Sequence, residues 1–183
     1  MLLYLINPIK LREIMNGASE NPNIATVAIR LASESDAVKL AHLRYAFRSS
    51  LDELIEHDEP FVERCTQWMQ SRLSDGASWR CWIAEYDGEP VGNIWAQLIE
   101  KIPNPASEPE HHAYITNFYV REDHRRRGVG SMLLSAAMAW IQTQDVHAVI
   151  LWPTQQSGAF YLEHGFSVRG DLMEMIVAKN KEH

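Results

Sequence analysis

Cysteine is nearly missing from this chain. Cys65 and Cys81 are the only two in 183 residues, and they share no C-x-x-C spacing. That excludes a disulfide framework and a cysteine zinc site, and makes a reduced, cytoplasmic setting the default. Histidine does not fill the gap. The eight histidines are scattered apart from His111-His112 and show no H-x-x-x-H pattern, so no metal is implied. Positive charge is also short, with 17 Lys and Arg against 24 Asp and Glu and a net charge of −7. A general nucleic-acid binder would be basic, so no nucleic-acid partner is expected. Long apolar runs are absent. Met1-Leu2-Leu3-Tyr4-Leu5-Ile6 has no basic residue before it and breaks at Asn7-Pro8. It is too short to cross a bilayer or to serve as a signal core, so no membrane partner is expected.

What remains is ordinary globular composition, 46% hydrophobic and 22% charged, in a length that suits one domain. Residues 1–24 read as an N-terminal extension, with Met15 an alternative start, and residues 25–183 as a single domain without repeats or linkers. Thr26 to Leu31 alternates as a first strand. Ser33-Glu34-Ser35-Asp36 reads as a capping box, followed by Ala37, Leu40, Ala41, Leu43 and Phe47 at helical spacing. A second helix is expected from near Pro60, with a stripe of Phe61, Cys65, Trp68, Met69 and Leu73 and a stop at Asp75-Gly76. The acidic run Asp52, Glu53, Glu56, Asp58 and Glu59 joins the two helices. Trp79–Tyr86 and Val91–Ile99 flank Asp87-Gly88, a hairpin signal. Ala148–Trp152 is a short apolar run read as a buried strand parallel to Tyr114–Val120, joined by a right-handed crossover. A short helix around Ser157–Glu163 follows, then Phe166–Val168 and Leu172–Val177 as closing strands.

The stretch from Ala113 to Trp140 organises the rest. Tyr114–Val120 is strand-like, Arg121–His124 is a polar turn, and Arg125-Arg126-Arg127-Gly128-Val129-Gly130 opens a helix. The first turn of a helix offers backbone N–H groups without acceptors and the positive end of the dipole. Glycines there let an anion approach the backbone, so the turn is suited to phosphate. It is not a dinucleotide fingerprint, which needs a third glycine, and it is not a P-loop.

Arg125-x-x-Gly128-x-Gly130 after a strand resembles the acetyl-coenzyme A signature of the GCN5-related N-acetyltransferase (GNAT) superfamily, [QR]-x-x-G-x-[GA]. Ser157-Gly158-Ala159-Phe160-Tyr161-Leu162-Glu163-His164-Gly165-Phe166 resembles the second landmark of that family. The element order matches over roughly residues 26–178. The resemblance implies a mixed α+β fold, with a mostly antiparallel twisted sheet, one parallel strand pair and helices on both faces. It implies an acetyl-CoA cosubstrate and no metal. Phe118, Tyr119 and Val120 would pair with the pantetheine arm. Arg125, Arg126, Arg127, Gly128, Val129, Gly130 and Ser131 would hold the pyrophosphate. Tyr161 would protonate the departing thiolate, which suits a phenol because it keeps its proton at neutral pH.

Two features depart from the family pattern. Thr154 stands where an asparagine often reaches the pantetheine arm. Ile115-Thr116-Asn117-Phe118 carries no carboxylate where many relatives place a base-activating glutamate. Base candidates from the sequence are His111, His112, Glu100 and the acidic run before Pro60. The function expected is direct acetyl transfer from acetyl-CoA to a primary amine on a small molecule or peptide. The acidic run points to a cationic acceptor. The alternative is a non-catalytic acyl-CoA sensor or adaptor of the same fold, kept open by the missing glutamate. The closing strands could support a homodimer.

Overall fold

The computed structural model describes residues 26–51, 56–76, 78–171 and 173–175. The expected N-terminal extension, Asp52, Glu53 and the ends of the last expected strand lie outside the described residues. Five strands, β1 (Val27–Leu31), β2 (Trp79–Tyr86), β3 (Glu89–Glu100), β4 (His111–Val120) and β5 (Val146–Ile150), form one sheet in sequence order. Every neighbouring pair is antiparallel except β4 and β5, which are parallel. The mixed sheet follows from the connections. Asp87-Gly88, both at positive φ, close a two-residue hairpin. Helix α3 (Val129–Ile141) carries the crossover from β4 to β5.

Helices cover both faces. On one face, α1 (Ala37–Ser49) and α2 (Asp58–Asp75) bury Leu40, Ala41 and Met69 against Cys81, Ile83 and Trp95. On the other, Leu133, Leu134, Ala137 and Ile141 of α3 pack on Ala84, Ile94, Ala96, Ala113 and Ile115. Successive strand residues point to opposite faces, which is why Trp95 and Ala96 enter different cores. Helix α2 starts two residues ahead of Pro60 and stops on Gly76 at φ 58°, a left-handed cap open to glycine. At Ser33, the Asp36 carboxylate accepts from the Ser33 N–H at 2.8 Å and also draws in Arg30 at 2.7 Å. The expected cap is therefore part of an ion-pair network that includes Glu85.

Two expectations change. Phe166–Val168 and residues 173–175 form no strand, so β5 joins β1 as an edge strand among the described residues and is only half-buried. Val168, Met173 and Met175 stand exposed. Strand β4 begins at His111, three residues ahead of the expected Tyr114, so His111-His112 belong to the strand. Among the described residues no helix is long and apolar enough to cross a membrane.

Candidate active site

The site grows from a break in β4. Pairing with β5 runs from His111↔Val146 to Tyr114↔Ile150 and ends there. On the other side β4 stays with β3 to Gly92↔Val120, but two β3 steps, Asn93 to Trp95, oppose three in β4, Tyr119 to Thr116. The extra residue makes a β-bulge. Asn117 sits in it at φ 47°, a left-handed conformation asparagine tolerates better than most residues. The buried Asn93 holds the bulge, its Nδ2 donating to the Asn117 carbonyl at 2.7 Å.

The bulge sets which atoms face the gap beside β5. The Arg121 N–H donates to the Val91 carbonyl at 2.9 Å, toward β3. Strand alternation then turns the Tyr119 N–H toward β3 and the Val120 N–H and carbonyl outward. The Val120 carbonyl accepts from Arg125 Nε at 2.9 Å, and the Arg125 guanidinium lies 5.7 Å from the Tyr119 ring centroid. Arg125 is thus bound to the end of β4, whereas Arg126 and Arg127 are exposed at the turn.

The turn into α3 is tightly wound, with Arg126 at φ 58° and Gly128 at φ 79°. The first helical hydrogen bond runs from the Met132 N–H to the Gly128 carbonyl, so the N–H groups of Val129, Gly130 and Ser131 precede it. A Cβ on Gly128 would meet nothing within 4 Å, which leaves the backbone open on that side. A Cβ on Gly130 would touch Phe160 at 3.6 Å and Phe118 at 3.7 Å. Backbone donors, open space and positive charge in one place fit a pyrophosphate.

Helix α4 (Gly158–Glu163) brings the second motif to the same place. Phe160 and Tyr161 stack edge-on against Phe118, with centroids 5.7 and 6.2 Å away, and Phe166 closes on Tyr161 at 5.5 Å. Tyr161 is 8% exposed. Burial pushes its phenol up to about 12, so it keeps its proton at neutral pH. His164 ties the two motifs together. Its Nδ1 lies 2.8 Å from the Phe160 carbonyl and its Nε2 3.1 Å from the Ser131 hydroxyl. Thr154 lies in the turn before α4, its hydroxyl bonded to Ser157 at 3.0 Å.

The opposite face of β4 is different. The bulge turns both Thr116 and Asn117 toward α1, where Arg44 Nη1 donates to Asn117 Oδ1 at 3.3 Å. Tyr114 shares that face and stacks edge-on with the exposed Trp152 at 5.1 Å. A cleft of about 810 Å³ also opens there, between α1 and the end of β4, lined by Lys39, His42, Tyr119 and Arg121 and by acidic Glu89, Glu122 and Asp123. It is separate from the Phe118–Tyr161 cluster across the sheet.

The base candidates lie elsewhere. Glu100 pairs with His111 at the far end of the sheet. Six residues of strand, about 20 Å at 3.3 Å each, separate His112 from Phe118. His112 stacks on His147, whose Nδ1 is 3.3 Å from Glu108. In the acidic run, Glu56 pairs with Arg64, and Asp58 and Glu59 occupy the first turn of α2, where they complement its dipole. Asn93, Arg44 and His164 were not singled out by sequence. Each acts through partners distant in the chain, a relation no local motif encodes.

The comparisons agree with this geometry. The model of the acetyltransferase (GNAT) family matches residues 42–166. An uncharacterized N-acetyltransferase of Methanocaldococcus jannaschii is 27% identical over 160 residues, covering 82% of this chain and 66% of that relative's length. A GCN5-related N-acetyltransferase from Ralstonia eutropha superposes with TM-score 0.72 at 25% identity, over 84% of this chain and 100% of that one. A predicted acetyltransferase from Clostridium acetobutylicum, solved with acetyl-CoA, superposes with TM-score 0.70 at 21% identity, over 82% and 96%. With the bulged strand, the glycine turn and the tyrosine helix assembled in one place, the chain belongs to the acetyltransferase (GNAT) family.

Proposed function

We propose that this protein is an acetyl-CoA-dependent N-acetyltransferase that moves the acetyl group directly to a primary amine. The observation that carries this is the meeting of three parts at Phe118: the outer edge of β4, the open first turn of α3, and Tyr161. A neighbour of the same fold is described with acetyl-CoA.

In this reading the pantetheine arm lies along the edge of β4 as an added strand, taking the outward N–H of Val120 and groups near Phe118. Tyr119, whose N–H faces β3, contributes its ring as the platform for Arg125. Gly128 to Ser131 hold the pyrophosphate with backbone N–H groups, and Arg126 and Arg127 add charge. Thr154 sits beside the arm in the turn before α4. A neutral amine attacks the thioester carbonyl carbon, and a backbone N–H of the bulge stabilises the oxyanion. The carbon–sulfur bond then breaks and Tyr161 delivers its proton to the sulfur. The proton lost by the amine goes to solvent, since no carboxylate stands on β4 from Tyr114 to Val120.

The test is amine-dependent release of free thiol from acetyl-CoA across amino acids, peptide N-termini, polyamines and aminoglycosides. Turnover with at least one class is expected. Saturable acetyl-CoA binding without turnover on any amine would instead make the protein a sensor.

A further inference from the structure

Arg44 is a half-buried cation with no anionic partner among the described residues. It comes from α1, packs over the Phe47 ring at 5.6 Å, and makes one long hydrogen bond, 3.3 Å, to the neutral amide of Asn117. Among the described residues no carboxylate lies within ion-pair distance of it. The titratable groups acting on it are Arg48, Cys65 and Tyr114. Burial and the like charge of Arg48 both weaken its hold on its proton, the direction of a charge lacking its counter-ion. A partly desolvated guanidinium with its fork unfilled is costly to keep unless something completes it. Its place matters too. Asn117 is the bulge residue, Phe118 next to it faces Tyr161, and Tyr114 with the exposed Trp152 forms an aromatic wall on the Arg44 side.

We propose that Arg44 binds a carboxylate of the acceptor, so that the substrate is an amine that also carries a carboxylate. The proposal rests on the N-acetyltransferase reading above. A planar guanidinium pairs with a carboxylate through two parallel N–H···O bonds, and Asn117 Oδ1 already fixes one edge of the fork. Clamped there, the acceptor would lie over the bulge, and Tyr114 and Trp152 would flank its side chain. This assigns specificity to a cation on α1 and reverses the expectation of a cationic acceptor. Of the acidic residues behind that expectation, Glu56 is engaged at Arg64, and Asp58 and Glu59 stand at the start of α2.

The experiment measures kcat/KM for free amino acids against their own amides, with spermidine added, in wild type, Arg44→Gln and Arg44→Lys. Circular dichroism and acetyl-CoA affinity monitor folding of each variant. The acids are expected to exceed their amides by about 10- to 100-fold, the worth of one charge-assisted pair. Arg44→Gln raises KM for the acid by a similar factor and closes the gap, while Arg44→Lys keeps part of it. Amides or spermidine used as well as the acids by wild type overturns the proposal, even if neither variant folds. So does an acid preference that survives Arg44→Gln. Acetyl-CoA binding with no thiol release on any amine removes the acetyltransferase reading and this proposal with it.

Discussion

The Asn93 side chain donates to the Asn117 carbonyl at 2.7 Å, and that one bond joins two strands where their register slips. Asn117 is held at φ 47° by it, with Phe118 presented to Tyr161 on one face and the Asn117 amide to Arg44 on the other. Asn93→Ala leaves a carbonyl at the bulge without its donor. Stability should fall by about 1–3 kcal/mol. Chemical denaturation measures this, and an unchanged midpoint would mean the bulge is held by other contacts.

Gly92 is the neighbouring constraint. A Cβ there would lie 2.8 Å from the Tyr119 carbonyl, a backbone atom that cannot swing aside. Gly92→Ala should push β4 away from β3 and cost about 1–3 kcal/mol, the usual range for overpacking. A thermal melt equal to wild type would show that the strands absorb the methyl.

Tyr161→Phe removes the proposed proton donor but keeps the ring packed against Phe118 and Phe166. Turnover should fall by about 100-fold or more with acetyl-CoA affinity nearly unchanged. Full activity would remove Tyr161 from the acid role. The same residue predicts behaviour in alkali. Its folded value, about 12, lies above the ordinary 10, so folding favours the neutral phenol. That contribution is complete below pH 10 and is lost as pH rises from 10 toward 12. Alkaline unfolding of wild type should therefore be steeper over this window than that of Tyr161→Phe, and matching curves would contradict it.

Asp36 behaves in the opposite sense. Hydrogen bonds from Arg30 hold its carboxyl well below the usual carboxylate range, helped by the Ser33 N–H and against the cost of burial. A depressed value means the contribution is present above pH of about 4 and is lost as pH falls below it. Asp36→Asn should lower stability at pH 7 by about 1.5–3 kcal/mol and flatten the acid limb. A variant whose acid unfolding parallels wild type would show that the pair is not the source.

Much of this was legible in sequence because it is local. The ends of β2 at Trp79 and Tyr86, the stop of α2 at Gly76 and the parallel pairing of β5 with β4 all follow from sequence. Hairpin chemistry, helix periodicity and a short apolar run each announce themselves within a dozen residues. The bulge did not, because it is a mismatch between two strands and Asn117 looks like any polar strand residue. Arg44 reaches across 73 positions to Asn117, and nothing in α1 marks it. Its place in the turn suggests Arg125 as a phosphate ligand, but its side chain also reaches back to the Val120 carbonyl. Phe166–Val168 looked like a strand by residue type, yet residue type does not supply a partner edge.

That the turn opening α3 is the coenzyme site can be checked by calorimetric titration of acetyl-CoA into wild type, Gly128→Ala and Gly130→Ala. Gly128→Ala forces a side chain to φ 79°, while Gly130→Ala adds a methyl at ordinary contact with Phe160. Wild type should bind with a dissociation constant of about 1 μM–1 mM. Gly130→Ala should stay close to it, and Gly128→Ala should bind about tenfold more weakly, since a left-handed Cβ costs about 1–2 kcal/mol. No saturable binding by wild type, or equal affinity in all three proteins, would mean that the coenzyme does not sit on this turn.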